Sequence, residues 1–587
     1  MCGIFGKLTF HNEEKKRLVS ALKLLKHRGP DQHGVFSDEK VFMGHQRLSI
    51  IDLSEKGKQP MLSKDKDIII TVNGEIYNYQ DLKNELKQDF TFSSESDSEV
   101  IIYGYKKWGI KSLLKRLDGM FALAIYDQKK GKVFLARDRV GVKPLYFSKI
   151  NNDYCWSSEL KSIQYLYKDG ALEIDYTSLY DYLTYRYIPT PKTIYKNIYK
   201  LLPAHYMEID IEKDNKQSLF QYWSPNYKTN YNSKNIDELT KEFNHVLKDS
   251  VSSQLISDVP LGLFLSGGLD SASIAHYLPS DLPIKTFTMA FETKRHDESK
   301  EAKEIAKNFS LYNETFLFKS KEANSMFKDH IDWFDEPAFN SSNFPFYQLS
   351  KNAVEQCKVV LCGDGGDELF GGYKWYKIME KFDKIRLPQF HFLRSFFQLF
   401  FNFPVKKIQF LFKGLDLAVC PDMMEIYSVF LGGMNSKVKS RYRKKWNIPS
   451  SYDDYWFFRK YDRPELSLKK RLQTIDFHTF LPEACLTKTD RLSMRNALEC
   501  RVPFLSNAMI DFAFSLPDEI IYFNNQSKGI LKESMKDKLP KKIIKMKKKG
   551  FSAPLNLNSF SKNKNEKEHE TYLNFYIEQK EKNGQKI

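Results

Sequence analysis

The first two hundred residues alternate between short apolar segments and turn-forming Gly, Asp and Asn residues. Apolar runs of this length between turn residues are typical of β-strands, and they occur at 67–72, 120–126, 132–136 and 145–147. Helical spacing of apolar residues is interposed at 16–26 and 98–108. Strands with layered helices predict an α+β sandwich for the N-terminal part of the chain.

The second half alternates strand and helix in a different pattern. Short apolar strands are predicted at 261–265, 284–290 and 358–361, and helices are predicted from Ser271 onward and at 298–309. Strands of this type with intervening helices predict an α/β domain built on a doubly wound parallel sheet. Beyond Tyr373 the pattern is mainly helical, so we expect a helical C-terminal part.

A polar stretch with little apolar periodicity separates these two patterns. It runs over 214–234, carries Pro225 among Asn, Lys and Ser residues, and gives way to helical spacing at 236–250. A chain of 587 residues is also too long for one hydrophobic core. We therefore predict a first domain at 2–210, a linker at 211–235, a second domain at 236–560 and a polar tail at 561–587.

The net charge of +17 suits anionic substrates, nucleic acid or a membrane surface. Charge alone bears on steering and solubility, however, so a lysine-rich composition is the simpler explanation. The seven cysteines are scattered, odd in number and without a C-x-x-C pair, which argues against a disulfide framework or a zinc site. We expect a cytoplasmic protein without a secretory signal, because charged residues at 13–17 interrupt any apolar signal core.

One run has the composition of a membrane segment. It is the stretch 395–405 (SFFQLFFNFPV), which is about half the roughly 20 residues that a spanning helix needs. We predict that it forms a buried helix ending near Pro404, and that the chain does not span a membrane.

The most specific motif is a loop between a predicted strand and a predicted helix, made of Ser266, Gly267, Gly268, Leu269, Asp270 and Ser271. Two glycines at a helix start let backbone N–H groups converge on an anion. Asp270 is well placed to bind a magnesium ion carried by phosphates. The loop resembles the pyrophosphatase loop of ATP pyrophosphatases, which cleave ATP to AMP and pyrophosphate. An ordinary glycine-rich turn is the alternative.

A second cluster follows the third apolar strand and consists of Cys362, Gly363, Asp364, Gly365, Gly366, Asp367 and Glu368. Three acids in one loop repel one another without a cation, and the carboxyl end of a strand is where doubly wound sheets bind ligands. We predict a second magnesium-binding and catalytic loop. A basic run at 541–549 could place one lysine on a polyphosphate, and the sequence alone does not choose which.

The N-terminus combines a nucleophile with a base. Removal of Met1 would make Cys2 the first residue, with a thiol and an α-amine whose unperturbed pKa is near 8. Asn73 beside Gly74 is a plausible oxyanion hole for an acyl intermediate. Arg47 offers a bidentate donor to a carboxylate and Asp97 a partner for an ammonium, so the two together could hold an α-amino acid.

These residues together resemble the glutamine-dependent asparagine synthetases, which have an N-terminal nucleophile amidotransferase domain. The resemblance covers both domains in the family's order. It extends over 1–6, 27–31, 45–53, 73–79, 96–100, 118–122, 136–146, 266–271, 363–373, 490–494, 498–505 and 548–551.

The resemblance implies that the Cys2 thiolate, helped by its own amine, attacks the side-chain amide of glutamine and releases ammonia. It assigns Asn73 and Gly74 to the oxyanion hole. The glutamine-binding positions that it implies are Arg47, Asn73, Gly74, Glu75 and Asp97.

For the second domain the resemblance implies that ATP adenylates a carboxylate, in the family the β-carboxylate of aspartate. It also implies that ammonia is channelled from the first site through an internal tunnel and then displaces AMP. Asp270 and Asp367 match the magnesium ligands, and Asp364 matches a position where one branch has a proton-transferring glutamate. Lys548 matches the intermediate-stabilising lysine, with Lys549 as the next candidate. The implied ATP-binding positions are Leu265, Ser266, Gly267, Gly268, Asp270, Ser271, Met289 and Gly363.

The leading hypothesis is therefore a glutamine-dependent asparagine synthetase that uses ATP and Mg²⁺ and forms a homodimer, as the family often does. Cys362 and Ser506 depart from the family's usual residues, so another carboxylate acceptor, such as a sugar acid of surface polysaccharide, is the first alternative. A basic nucleic-acid-binding or regulatory protein with the same fold is the alternative from another class. Because the catalytic positions carry competent residues, we expect small-molecule substrates and no nucleic acid.

Overall fold

The computed structural model describes residues 2–8, 10–150, 152–168, 170, 172–227, 235–402, 405–434, 436–546, 550–551 and 568–582. Among these residues no helix is both long and apolar enough to cross a membrane. Lys548 and Lys549, predicted above as candidates for the intermediate-stabilising lysine, lie outside the described residues.

The N-terminal part of the chain is built from strands and a few helices. Its elements are β1 (Cys2–Leu8), α1 (Lys15–Lys23), β2 (Gln32–Ser37), β3 (Val41–Arg47), β4 (Met61–Leu62), β5 (Ile68–Ile76), α2 (Tyr79–Leu86), α3 (Glu99–Arg116), β6 (Gly119–Asp127), β7 (Lys132–Arg137), β8 (Tyr146–Ile150), β9 (Asp153–Ser157), α4 (Leu160–Tyr167), α5 (Tyr176–Tyr185), β10 (Ile198–Lys200), β11 (His205–Asp210) and β12 (Lys216–Gln221).

These strands form two six-stranded antiparallel sheets, in the orders β10-β8-β9-β1-β3-β2 and β12-β11-β7-β6-β5-β4. Side chains from both sheets meet in one apolar cluster, where Ile4 and Met43 of the first sheet lie with Ile69 and Ala124 of the second. Alternate residues of a strand point to opposite faces, so Phe5 belongs instead to the cluster on the outer, helix-covered side. The predicted α+β sandwich is confirmed.

The rest of the chain adds mostly helices around a third sheet. Its elements are α6 (Ile236–Ser253), β13 (Leu261–Phe264), α7 (Leu269–His276), β14 (Lys285–Phe291), α8 (Ser299–Asn308), β15 (Asn313–Phe318), α9 (Ser320–Met326), α10 (Ile331–Phe334), α11 (Asn343–Ala353), β16 (Val359–Leu361), α12 (Gly366–Phe370), α13 (Lys374–Asp383), α14 (Arg394–Leu399), α15 (Lys406–Ala418), α16 (Met423–Phe430), α17 (Ser436–Lys445), α18 (Trp456–Tyr461), α19 (Leu468–His478), α20 (Thr487–Met494), β17 (Glu499–Arg501), α21 (Asn507–Ser515), α22 (Asp518–Ile521), α23 (Gly529–Met535), α24 (Lys541–Ile544) and α25 (Glu568–Lys582).

The third sheet is five-stranded and parallel, in the order β15-β14-β13-β16-β17. From β13 the chain builds outward to β14 and β15 on one side, and then to β16 and β17 on the other. The strand order therefore reverses between β13 and β16, and ligands bind at such a switch point in open parallel sheets. This position brings the loops after β13 and β16, which carry the two glycine-rich motifs, next to each other. The predicted α/β parallel-sheet architecture is confirmed.

Two segments differ from the sequence prediction. Strand β12 lies in the predicted linker, where its residues from Lys216 to Gln221 pair with β11 and extend the second sheet. Helix α25 lies in the predicted polar tail and buries Tyr572 and Tyr576, with the Tyr572 ring stacked on Phe339 at 5.1 Å. Strand β12 forms a hairpin with β11, its neighbour in sequence, whereas α25 packs on residues distant in sequence. Regular structure therefore occurs within the predicted linker and the predicted tail.

The stretch 395–405 also differs from its prediction. It is not a buried helix: the short helix α14 and a 3₁₀ turn at Phe400–Asn402 cover part of it, and Phe396 and Leu399 are 53% and 72% exposed. Phe401 is buried within it, and Pro404 lies outside the described residues.

Candidate active site

Cys2 is the first residue of β1, and its backbone N–H and C=O groups both make hydrogen bonds. Its N–H donates to Asn73 Oδ1 at 3.0 Å, and its carbonyl oxygen accepts from Arg28 Nε at 3.0 Å. Removal of Met1 would turn this nitrogen into an α-amine beside the Asn73 side chain. Burial raises the pKa of the Cys2 thiol, and the positive charge of Arg47 opposes that rise. The thiol therefore lies in a dry site where an adjacent base would be needed to ionise it.

Asn73 presents an unused donor at the same place. It is fully buried on β5, and its Nδ2 has no hydrogen-bond partner among the described residues. A buried donor without a partner is costly, and such groups often mark a place that a ligand fills. The neighbouring Gly74 packs so closely on β6 that a Cβ would lie 2.1 Å from the Met120 carbonyl oxygen. The Asn73 amide and the Gly74 backbone thus lie together beside Cys2, as an oxyanion hole requires.

Arg47 lies opposite Cys2 in the pairing of β1 with β3. Its guanidinium is hydrogen-bonded to other residues of the protein. Its Nη2 donates to the carbonyl oxygens of Ile51 and Asp52 at 3.0 and 2.7 Å, and its Nη1 donates to Gln32 Oε1 at 2.7 Å. The guanidinium therefore shapes the loop after β3. In this structure its terminal nitrogens are directed at that loop and at Gln32, so carboxylate binding there would have to share these donors.

Two buried carboxyl groups lie near one another on the other side of this site. Asp97 Oδ2 accepts from the Ile76 backbone N–H at 2.8 Å, and Glu75 Oε2 has no partner among the described residues. Burial and the charge of Asp97 raise the pKa of Glu75 well above its usual range. Arg501 of β17 approaches Glu75 at 3.8 Å, so the second part of the chain closes the site. A ligand ammonium would relieve the excess of buried negative charge.

A cavity of about 170 Å³ lies at the switch point between β13 and β16. Within the loop after β13, Ser266 Oγ and Ser271 Oγ are 3.0 Å apart, and the Gly268 N–H donates to Ser266 Oγ at 3.1 Å. Gly363 packs so tightly on this loop that a Cβ would lie 2.9 Å from Asp270 Cβ. The predicted residues that line the cavity are Leu265, Ser266, Asp270, Ser271, Met289, Gly363, Asp364 and Asp367.

A neighbouring cavity of about 120 Å³ is lined by Gly267, Gly268 and Asp270. It shares Ser266 and Asp270 with the first cavity, so the predicted nucleotide positions lie in two adjoining spaces. Phe551 lines both cavities and meets the Phe291 ring edge-on at 5.8 Å. The chain just after the basic run thus reaches the site.

Lys528 joins the two predicted magnesium ligands. Its Nζ lies 2.6 Å from Asp270 Oδ1 and 2.6 Å from Asp367 Oδ1. Since one ammonium reaches both carboxylates, a magnesium ion could also bind between them, and carboxylate oxygens are the ligands it prefers. The described residues hold no cluster of three or more His, Cys, Asp or Glu side chains placed to bind a metal ion. Sequence analysis missed Lys528, because nothing distinguishes it from the chain's other lysines.

Asp364 and Glu368 lie deeper in the first cavity. Thr489 Oγ1 donates to Asp364 Oδ2, and the charge of Asp364 helps hold the pKa of Lys488 above its usual range against burial. Burial and the charge of Asp367 raise the pKa of Glu368 to about 8. Lys488 and Thr489 were also missed by sequence analysis, since they come from α20, more than a hundred residues after the acidic loop.

Helix α20 connects the two sites. Lys488 lines the cavity and Thr489 donates to the cavity-lining Asp364. The next residue, Asp490, pairs with Arg28 at 2.8 Å. Arg28 in turn donates to the carbonyl oxygen of Cys2. Arg28 and Asp490 are both buried, so consecutive residues of one helix contact the cavity lining on one side and the Cys2 network on the other.

The chain matches two family models. The one described as glutamine amidotransferase domain matches residues 1–223, and the one described as asparagine synthase matches residues 242–574. Asparagine synthetase 1 (glutamine-hydrolysing) of Bacillus subtilis is 32% identical, over 94% of this chain and 87% of its own length.

Two further relatives show a similar extent of match. Asparagine synthetase 3 (glutamine-hydrolysing) of Bacillus subtilis is 26% identical over 94% of this chain and 87% of its own length. A Gibberella zeae protein named amidase chry2 is 27% identical over 94% of this chain and 89% of its own length. The chain belongs to the family of ATP-dependent, glutamine-hydrolysing asparagine synthetases.

Proposed function

We propose that this enzyme makes asparagine from aspartate, ATP and glutamine, with Cys2 as the glutaminase nucleophile. The observation that carries the glutaminase assignment is the buried, unpartnered Asn73 Nδ2 beside a Cys2 nitrogen that Asn73 Oδ1 already holds. The switch-point cavity with Asp270, Asp364 and Asp367 supports the assignment of the second half-reaction.

In the first half-reaction the Cys2 α-amine accepts the thiol proton, and the thiolate attacks the glutamine side-chain carbonyl carbon. The developing oxyanion accepts hydrogen bonds from Asn73 Nδ2 and the Gly74 N–H. Ammonia leaves with the proton from the amine, and water hydrolyses the thioester to glutamate. Glu75 and Asp97 would attract the α-ammonium of glutamine, and Arg47 would receive its α-carboxylate.

In the second half-reaction the acceptor carboxylate attacks the α-phosphorus of ATP and pyrophosphate leaves. Ammonia then attacks the acyl carbon, AMP leaves, and Asp364 accepts the proton that the new amide loses. A magnesium ion at Asp270 and Asp367 would supply positive charge to the polyphosphate. Lys528 pairs with the same two carboxylates and lines the cavity together with Gly267 and Gly268, so it would donate to pyrophosphate bound there. Lys548 is our proposal for the lysine that stabilises the intermediate.

The same proposal includes a glutaminase domain predicted at 2–210, whose second sheet β12 extends, a synthetase domain predicted at 236–560, and assembly as a homodimer. Aspartate is favoured as the acceptor because two relatives covered over most of their length carry the name asparagine synthetase. A relative named as an amidase has the same extent of match, so another carboxylate acceptor is the alternative outcome of the test.

The proposal is tested by incubating protein lacking Met1 with glutamine, ATP, magnesium and aspartate. We expect asparagine, glutamate, AMP and pyrophosphate in equal amounts. Glutamate formation without asparagine, together with AMP formation when a uronic acid replaces aspartate, would show that the acceptor is a sugar acid rather than aspartate. Release of ADP instead of AMP would contradict the second half-reaction itself.

Asn73→Ala is expected to lower glutaminase kcat by about 10² to 10³, the usual effect of removing one oxyanion donor. Asn73→Asp is the matched variant, because it keeps an oxygen to accept from the Cys2 nitrogen but loses the Nδ2 donor. Both variants should lose glutaminase activity, whereas synthesis from ammonium salts should persist in both. Full glutaminase activity in Asn73→Asp would rule out the oxyanion role of Asn73.

A further inference from the structure

An exposed apolar surface lies on the helical part of the chain, away from the motifs described above. Of the twenty large hydrophobic side chains that are exposed among the described residues, ten lie between Ile378 and Leu415. We call these ten the apolar face: Ile378, Ile385, Leu387, Phe390, Phe392, Phe396, Leu399, Val405, Leu411 and Leu415. Exposed apolar side chains concentrated in one segment are a candidate interaction site.

The apolar face is built on an ordered scaffold. Arg394 of α14 pairs with Asp416 at 3.1 Å and with Glu425 at 2.7 Å, and the Phe400 and Phe412 rings stack at 4.2 Å. The polar side of α14 therefore points towards the protein, where Gln398 also donates to Asp416. This orientation leaves the apolar side of the helix to the solvent.

The spacing of the exposed side chains along each helix places them on a shared helix face. Phe396 and Leu399 are three residues apart on α14, and Leu411 and Leu415 are four apart on α15, so each pair shares one helix face. Leu399 is 72% exposed and Phe392, in the preceding 3₁₀ turn, is 67% exposed. Lys407 lies one turn before Leu411 and is also exposed. The scaffold thus presents projecting apolar side chains with a cation beside them.

The charges around the apolar face are positive. Lys381, Lys384, Lys407 and Lys413 are exposed within this segment, whereas its exposed acid, Asp383, pairs with Arg386 at 3.3 Å. A twofold contact with a second copy would place this positive surface against itself, which like charges oppose. The occupant that complements the face is therefore apolar and anionic.

The residue types favour a lipid surface over a protein partner. Protein interfaces are depleted in Lys and enriched in Arg and in aromatic residues, Phe included, so the phenylalanines fit either partner. The exposed cations decide, because all of them are lysines, and Arg386 and Arg394 are held in ion pairs. Projecting Phe and Leu side chains beside lysines are typical of segments that lie in the interface of an anionic bilayer. Docking of this kind needs no spanning helix, and none occurs among the described residues.

We propose that the apolar face docks this enzyme onto the surface of an anionic lipid bilayer, with its Phe and Leu side chains inserted and its lysines at the headgroups. The proposal is independent of the acceptor's identity, because it rests on a surface that the two candidate catalytic centres do not use. It also assigns part of the net charge of +17 to binding of lipid headgroups at one surface.

The test is flotation of the full-length protein with vesicles of phosphatidylcholine and phosphatidylglycerol, or of phosphatidylcholine alone. The wild type should float with the anionic vesicles, and high salt should release it. Phe396→Ser/Leu399→Ser should lower the bound-to-free ratio at least about tenfold, since it removes two inserted side chains. Leu219→Ser/Phe220→Ser on β12 is the matched control, because these residues are 48% and 43% exposed outside the face, and it should bind as the wild type does.

Glutaminase activity should be unchanged in both double variants, which verifies that each is folded. Absence of wild-type flotation, or equal flotation of Phe396→Ser/Leu399→Ser, would overturn the proposal. If the wild type is a dimer that does not bind vesicles and Phe396→Ser/Leu399→Ser is a monomer, the apolar face binds a second copy of the chain instead.

Discussion

Cys2→Ala is expected to abolish glutamine-dependent synthesis and to leave synthesis from ammonium salts unchanged. Loss of a catalytic nucleophile costs on the order of 10⁶ in kcat, which would reduce glutamine hydrolysis to background. The synthetase half-reaction should persist, because its candidate residues lie in a separate cavity at the edge of the parallel sheet. Glutamate and asparagine are measured with glutamine or with ammonium as the nitrogen source.

Cys155→Ala is the matched control for this prediction. Cys155 is a buried thiol on β9, the strand that pairs with β1, but it lies away from Asn73 and Arg47. It should retain both activities. Loss of both activities in a folded Cys2→Ala protein would mean that the two half-reactions are not separable. An N-terminal extension should reproduce the Cys2→Ala result, because it removes the free amine.

Asp270→Asn should have the opposite effect and remove synthesis while sparing glutamine hydrolysis. The substitution takes away one of the two carboxylates that Lys528 bridges, and with it part of the proposed magnesium site. Loss of metal-derived charge stabilisation is worth several kcal/mol, so AMP formation should fall by at least about 10²-fold. Pyrophosphate release and glutamate formation are measured in parallel.

Asp281→Asn controls for the loss of one negative charge, because Asp281 is exposed between α7 and β14. It should leave AMP formation unchanged. If Asp270→Asn forms AMP at the wild-type rate at limiting magnesium, Asp270 is not a ligand of the metal ion.

Features carried by local sequence were predictable. The two glycine-rich loops follow apolar strands directly, and parallel-strand geometry brings such loops together without further information. The Asn73-Gly74 pair is likewise contiguous, and it directly follows the apolar run that forms the start of β5.

Features assembled from distant residues were not predictable. Lys528 reaches Asp270 from 258 positions away, and Arg501 closes the N-terminal site from the last strand of the third sheet. Helix α25 and the exposed side of α14 were wrongly predicted for a related reason. The strongly apolar stretch of α14 exposes Leu399 and the mostly polar α25 buries Tyr572, so tertiary packing rather than local composition decides which side chains are buried.

The arrangement of α20 bears on how the two centres act together. Its consecutive residues Thr489 and Asp490 contact Asp364 and Arg28, and Arg28 holds the Cys2 carbonyl oxygen. This connection consists of one hydrogen bond to Asp364 and one buried ion pair between Asp490 and Arg28, and breaking a buried ion pair is strongly destabilising, so it helps fix the relative position of the two sites. The structure thus joins the Cys2 site to the switch-point cavity through one helix.

The central claim is that nitrogen passes from glutamine at Cys2 to an acceptor activated by ATP. The most direct measurement gives the enzyme glutamine labelled with ¹⁵N in its side-chain amide, ATP, magnesium, aspartate and an excess of unlabelled ammonium at a pH where little of it is free ammonia. The account predicts asparagine whose amide is mostly ¹⁵N, with one AMP formed per asparagine. Unlabelled asparagine, or labelled ammonia released without any amide product, would contradict it.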